Sequence, residues 1–278
     1  MLNNSKKTTL NLNLNLNLNL NLNLNLNLNL NLNLNLNLNL NLNLNLNLNL
    51  IMKNLLFLFL PFLFNAQEIK ADFNKEIKKT EKISYILDYP QNTKTDVPLI
   101  VFLHGSGERG TNLEMVKAHS PFTYKNLIKE PVTILAPQCP ENMWWDTEAV
   151  YYLIKEIQAK YKIDASRIYL TGLSMGGWGT LKLAGEHPEM FAAVASVCAP
   201  TDMVMGANIQ NYKDLNIKIF QGGMDDVVHP NNAIDFWQVL HPINPKAELI
   251  IFPNDNHNSW DSTYSNPSFY TWLLSQKK

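Results

Sequence analysis

The stretch RIYLTGLSMGG, Arg167 to Gly177, decides how the rest of the chain is read. Its first half, Arg167–Leu173, is apolar and rich in branched and aromatic residues, as a strand buried on both faces would be. Gly172-Leu173-Ser174-Met175-Gly176 then fits the pattern G-x-S-x-G. Five residues alone are a weak pattern that arises by chance. The setting gives it meaning, because GGWGTLKLAGEH (176–187) reads as a helix that Pro188 stops. A strand, a turn and a helix in that order make the context in which this motif carries a nucleophile. Such a turn reverses so sharply that side chains at Gly172 or Gly176 would strike neighbouring backbone. The serine then stands above the sheet, at a helix N-terminus whose partial positive charge favours an anion.

Working outward, strand-like and helix-like segments alternate. KISYILDYP (82–90), VPLIVFLHG (Val97–Gly105), VTILAPQ (Val132–Gln138), FAAVASVCA (191–199), IKIFQGG (217–223) and ELIIFPN (248–254) read as further strands. Between Val132–Gln138 and Arg167, the residues Val150, Leu153, Ile154, Ile157 and Tyr161 fall at i, i+3, i+4, i+7 and i+11, one face of a helix. Asp146 or Thr147 can cap it. NNAIDFWQVL (231–240) and PSFYTWLLS (267–275) read as two more helices. This alternation predicts an α/β fold: a mostly parallel, doubly wound sheet with helices on both faces.

The N-terminus reads differently. Residues 11–50 are twenty copies of Asn-Leu. That tract has the period of a strand, but it is far longer than the ten or so residues strands reach, and nothing in it turns the chain. Residues 1–51 are therefore expected to be a low-complexity tract, disordered or upstream of the true start. Met52-Lys53, the apolar run Leu55–Phe64 and Ala66 then have the shape of a secretory signal peptide over 52–66. The run is too short to span a bilayer. The expectation is an exported protein, periplasmic or secreted, whose folded domain is residues 67–278 and which keeps no membrane insertion after cleavage. The first 66 residues hold three Lys and no acidic residue, so that domain carries 20 basic against 24 acidic groups. With no basic block, nucleic acid is not an expected partner.

In sheets of this kind chemistry sits at the carboxyl ends of the strands. A serine hydroxyl needs a base, and His257, in NDNHNSWD just past the last strand, is the histidine best placed for the chain order serine, acid, histidine. His119, His187 and His241 read as structural or surface residues. For the acid, FQGGMDDVVHP offers Asp225 and Asp226, with Asp202 as a further alternative. An oxyanion would need backbone donors. The pattern assigns them to the N–H of Met175, after the serine, and of Ser106 in LHGSGERG (103–110). Gly105 and Gly107 are expected to let that loop approach closely. His104 reads as a structural hydrogen-bonder. Glu108 and Arg109 either pair to tie the loop down or contact substrate. No group of residues has metal-ligand spacing, and no metal or cofactor is implied.

LHGSGERG, APQCP (136–140), GLSMGG (172–177), GMDDVV (223–228) and HNSWD (257–261) together resemble the small secreted carboxylesterases of the α/β-hydrolase superfamily. The nearest groups are the dienelactone-hydrolase, phospholipase/carboxylesterase and poly(hydroxybutyrate)-depolymerase-like esterases, among which are sequences classed as peptidases of prolyl-oligopeptidase type. The resemblance covers residues 67–278 and is specific for mechanism, weak for substrate. It implies the α/β-hydrolase fold without a large lid domain, and a Ser174–His257–Asp225 triad. Two positions depart from it: Gln221, where many relatives have His, and His229, where Pro is common. In the usual strand order, Cys139 and Cys198 are three strands apart, about 14 Å and too far for a disulfide, so two free thiols are expected. Trp144, Trp145 and Trp260 are placed in loops of the active face, where they can stack on sugar or aryl groups; Trp178 reads as core. The expected substrate is a small-molecule or polysaccharide ester, with an acyl or feruloyl group. An exported peptidase and a non-catalytic binding protein on the same fold are the alternatives.

Overall fold

A computed structural model describes residues 70–75 and 78–278. The Asn-Leu repeat and the expected signal peptide lie outside the described residues. The chain divides at residue 76, and the unit Ile77–Lys278 holds all that follows.

Seven strands form one sheet: β1 (Ser84–Asp88), β2 (Val97–Leu103), β3 (Thr133–Gln138), β4 (Ile163–Leu173), β5 (Ala193–Val197), β6 (Ile217–Gly222) and β7 (Glu248–Phe252). Their order is β1-β3-β2-β4-β5-β6-β7. β1 runs antiparallel to β3, and the other pairs are parallel. Every residue of β2 and β3 is buried, as interior strands flanked by helices require. The edge strands β1 and β7 are only partly covered.

Among the described residues six α-helices connect or follow the strands: α1 (Thr147–Lys160), α2 (Met175–Glu186), α3 (Met203–Ala207), α4 (Asn231–Leu240), α5 (Ser259–Tyr264) and α6 (Pro267–Ser275). Asp146, not Thr147, caps α1: its Oδ1 accepts the Ala149 N–H at 3.1 Å. Because successive strand residues face opposite ways, β2 divides its side chains between two cores. Leu99, Val101 and Leu103 join Ile154 of α1, Leu181 of α2 and Phe236 of α4. Ile100 and Phe102 join Tyr264 of α5 with Phe269 and Leu273 of α6 on the other face. Between β5 and β6 the chain forms only α3 and a 3-10 turn, Ile209–Tyr212, and no large lid.

The strand order positions the site. From β2 the chain steps toward the β1 edge to place β3, then crosses back to place β4 on the other side of β2, and β5, β6 and β7 continue away from it. Such a reversal opens a crevice at the carboxyl ends of the two central strands. The loop after β2 carries LHGSGERG, and the turn after β4 carries Ser174.

Both cysteines are free and buried, with β2 and β4 between the strands that lead to them. Burial pushes the Cys139 thiol up to about 11 and the Cys198 thiol to about 12, so both stay protonated at neutral pH.

Three glycines act as expected, and a fourth does not. A Cβ on Gly172 would lie 2.4 Å from the Gly176 carbonyl oxygen, and one on Gly176 would lie 1.9 Å from that of Leu103. Backbone meets backbone at both points, so neither neighbour can yield. A Cβ on Gly105 would meet Leu173 Cδ1 at 2.8 Å, but one on Gly107 would meet nothing within 4 Å. Gly107 therefore carries no close approach, contrary to the sequence reading. Gly176→Ala is expected to cost about 3 kcal/mol or more, while Gly107→Ala stays within about 0.5 kcal/mol; thermal and denaturant melts of the two variants check the contrast.

Candidate active site

The turn from β4 into α2 holds Ser174 at φ 53° and ψ −120°. A left-handed backbone is costly for a residue with a side chain, of order 1–3 kcal/mol. Its surroundings fix it. The Ser174 N–H donates to the Val197 carbonyl at the end of β5 at 2.9 Å, and the Trp178 N–H donates to the Ser174 carbonyl at 3.1 Å. The hydroxyl is left half-buried at the crevice.

The loops after β6 and β7 are stitched together by backbone. Gly223 N–H donates to Phe252 O at 2.8 Å, and Met224 N–H to Asp255 O at 2.9 Å. Asn256 Oδ1 accepts from the amides of His257 (2.7 Å) and Asp226 (3.2 Å). A Cβ on Gly222 would lie 2.1 Å from Asn256 O, so only glycine lets these loops close. The result brings Asp225 to His257: Nδ1 lies 2.9 Å from Oδ2 and 3.1 Å from Oδ1. His257 Nε2 lies 2.9 Å from Ser174 Oγ. A carboxylate only accepts, so Nδ1 carries the hydrogen; Nε2 of the neutral ring is then the acceptor, and the serine hydroxyl donates to it.

Asp225 is buried and well held. Its Oδ1 accepts from the amides of Val227 (2.9 Å) and Val228 (2.8 Å), and its Oδ2 from Gln221 Nε2 (2.9 Å). Asp226 is exposed. Asp202 caps α3 through the Met205 N–H at 2.9 Å and accepts from Trp178 Nε1 at 2.8 Å. Of the three candidate acids, Asp225 is the one that meets His257.

The loop after β2 is pinned from beneath. His104 is fully buried; its Nε2 accepts the Cys139 N–H at 3.0 Å, so Nδ1 carries the hydrogen and donates to Gly105 O at 2.6 Å. Gln138 Nε2 holds the carbonyls of Glu108 (3.0 Å) and Asn112 (2.8 Å). Ser106–Glu108 is a 3-10 turn. A Cβ on Gly105 would lie 3.6 Å from Ser174 Cβ, which shows how near this loop runs to the serine. Met175 is the first residue of α2, so its N–H has no intrahelical acceptor.

The other named residues divide. Trp145 is buried, 4 % exposed, and its Nε1 donates to His104 O at 3.1 Å. It supports the loop from below and does not face substrate, which corrects the sequence expectation. Trp144 is half exposed and meets Trp178 edge-on at 5.1 Å; Trp178 is partly buried and packs against the core. Trp260 lies on α5, not in a loop, and stands edge-on to His257 at 5.4 Å. Arg109 does not pair with Glu108: it donates to Ser106 O at 3.0 Å and Met143 O at 3.2 Å, curling the loop. The Glu108 carboxyl turns inward, and burial raises its pKa. His119, read from sequence as structural or surface, is exposed and lies 5.4 Å from Trp260; no pattern around it foretells that contact.

A parallel crevice sheet with a serine at a strand–helix turn, hydrogen-bonded to a histidine and through it to an aspartate, defines a member of the α/β-hydrolase superfamily. Within it, the chain belongs to the putative esterase family, whose model matches residues 86–259. A crystal structure of a thermostable esterase is 32% identical in sequence, with a TM-score of 0.65 over 70% of this chain and 59% of that one. The bifunctional acetylxylan esterase/xylanase XynS20E of Neocallimastix patriciarum is 28% identical over 66% of this chain and 27% of its own length. Feruloyl esterase B of Talaromyces stipitatus is 27% identical over 51% of this chain and 42% of its own length. The chain spans less than half the length of these two curated relatives.

Burial, with a smaller contribution from Arg109, lowers the His104 pKa from 6.5 to about 4. The unfolded chain therefore binds a proton that the folded one refuses across that window, and stability falls as pH drops from about 6.5 to about 4. The size is of order 3 kcal/mol. Denaturant melts at pH 7 and pH 4 should show a smaller acid loss in His104→Gln than in the wild type.

Proposed function

We propose that this esterase-family protein is a serine carboxylic-ester hydrolase working through an acyl-enzyme. The observation that carries the reading is the hydrogen-bonded chain Asp225–His257–Ser174 ending at a serine in a left-handed turn. In this mechanism His257 Nε2 takes the proton as Ser174 Oγ attacks the ester carbonyl. Asp225 fixes the tautomer of His257 and stabilises the imidazolium that forms. The amides of Met175 and Ser106 bind the oxyanion. His257 then returns the proton to the leaving alcohol oxygen, and water, activated by the same histidine, releases the acid.

The proposed substrates are acyl or feruloyl esters of polysaccharides. The names of two relatives, an acetylxylan esterase/xylanase and a feruloyl esterase, support this class. So does Trp260, which stands edge-on to the His257 ring at 5.4 Å. We place the protein outside the cytoplasm on the pattern of residues 52–66. Among the described residues no helix is long and apolar enough to cross a membrane.

Assays of the purified protein with p-nitrophenyl acetate, methyl ferulate and a peptide anilide test the reading. Ester hydrolysis is expected, with Ser174→Ala lowering it by roughly 10⁴-fold or more. Turnover of the anilide alone, or equal turnover by Ser174→Ala, would overturn it.

A further inference from the structure

The tip of the loop after β2 has little packing to hold it. Ser106 and Gly107 are exposed, and a Cβ on Gly107 would meet nothing within 4 Å. Side-chain hydrogen bonds hold the loop's carbonyls instead. His104 Nδ1 donates to Gly105 O at 2.6 Å, Arg109 Nε to Ser106 O at 3.0 Å, and Gln138 Nε2 to Glu108 O at 3.0 Å. The first two bear on one backbone N–H. A peptide unit is planar, and in the trans form its N–H points away from its carbonyl. Gly105 O and the Ser106 N–H share one such unit, and Ser106 O begins the next. Holding both oxygens fixes the two planes that meet at Ser106, and with them the direction of its N–H. Arg109 differs from His104 in what it is tied to. It ends the turn Ser106–Glu108 as its C-cap and folds back on the turn's first carbonyl. Its Nη1 also donates to Met143 O at 3.2 Å, in the loop after β3. That oxygen is itself held, because Cys139 Sγ donates to it at 3.5 Å and the Met143 N–H donates to Pro140 O at 3.3 Å.

We infer that Arg109 is a positioning residue for the oxyanion hole: its guanidinium ties the Ser106 turn to the loop after β3 and so sets where the Ser106 N–H points. The inference rests on the ester-hydrolase reading above and adds a residue that acts on the reaction through another. The guanidinium is a rigid planar fork, so Nε and Nη1 keep a fixed separation and the position of Met143 O limits that of Ser106 O. A lysine ammonium on a flexible stem has no such fork and cannot reproduce the tie. The direction of the N–H matters because an oxyanion donor works by being in place before charge develops, at no cost of reorganisation. Arg109 therefore supports the transition state more than the bound ester, and its loss acts on rate more than on binding. Both sequence readings of this residue, a partner for Glu108 or a substrate contact, give way to this one.

The test sets turnover of p-nitrophenyl acetate beside inhibition by trifluoroacetophenone and by acetophenone. Ser174 Oγ adds to the trifluoroketone carbonyl, its proton passes to His257, and the ketone oxygen becomes an oxyanion; acetophenone binds without addition. Arg109→Met should lower kcat/KM roughly 10- to 100-fold, less than the roughly 100- to 1,000-fold for a donor removed outright. The Ki of trifluoroacetophenone should rise by the same factor, and that of acetophenone should stay within about twofold. Arg109→Lys keeps the stem and the charge and should lie between the wild type and Arg109→Met; it gives the same comparison where Arg109→Met does not fold. A smaller folded fraction lowers the apparent rate but leaves both Ki values alone, so the ketones separate positioning from folding. An unchanged rate, a lower rate with the trifluoroketone Ki unchanged, or equal rises for both ketones overturns the role and leaves the esterase reading standing. A wild type that does not hydrolyse p-nitrophenyl acetate overturns the esterase reading and the role with it.

Discussion

The left-handed turn at Ser174 constrains the rest of the molecule. It exists only because α2 packs directly on the end of β2, where a methyl group on Gly176 would lie 1.9 Å from Leu103 O. That contact requires two adjacent parallel strands with their carboxyl ends level, one to supply the serine and one to receive the helix. The pairing of β2 with β4 provides them. The bond from Ser174 N–H to Val197 O draws in β5 as the third support. Strain at one residue is thus distributed over three strands and a helix, and the hydroxyl is presented at the crevice with little freedom to retreat.

Opposite the serine, orientation is achieved by loops rather than by regular elements. Asp225 has donors from two backbone amides and Gln221, so its carboxylate is fixed before it meets His257. The Gln221 side-chain amide supplies the N–H that Asp225 Oδ2 accepts at 2.9 Å. On the other flank, His104 works as a buried, neutral brace: one nitrogen accepts from β3's end and the other donates to the loop after β2. With its pKa lowered to about 4, it adds no positive charge beneath that loop at neutral pH. The site therefore has one histidine in the hydrogen-bonded relay and another that holds the scaffold.

The sheet was legible in the sequence because buried parallel strands are continuous apolar runs, and all seven were read as strands. Ser174 and His257 were legible because chain order and strand ends limit which side chains can meet; the same limits left Asp225, Asp226 and Asp202 open, and the resemblance alone singled out Asp225. The walls of the crevice were less so. Trp144 and Trp145 are adjacent in a loop with no periodicity; the one that found an acceptor over His104 went inside, and the other stayed out. Trp260 was read as loop because α5 is one short helix whose formation depends on its burial over β5 and β6. Gly107 looked like Gly105 in sequence, but only tertiary neighbours distinguish a glycine under pressure from one in open space. The inward turn of Glu108 and the approach of His119 to Trp260 are likewise tertiary, between residues far apart in the chain or set by a 3-10 turn.

The central claim is that Ser174, activated by His257, is a nucleophile. Brief treatment of the purified protein with diisopropyl fluorophosphate, followed by peptide mass spectrometry, tests it without assuming any substrate. The account predicts one phosphoryl adduct, on Ser174, and its loss in His257→Ala. No adduct, an adduct confined to another residue, or undiminished labelling in His257→Ala would contradict it.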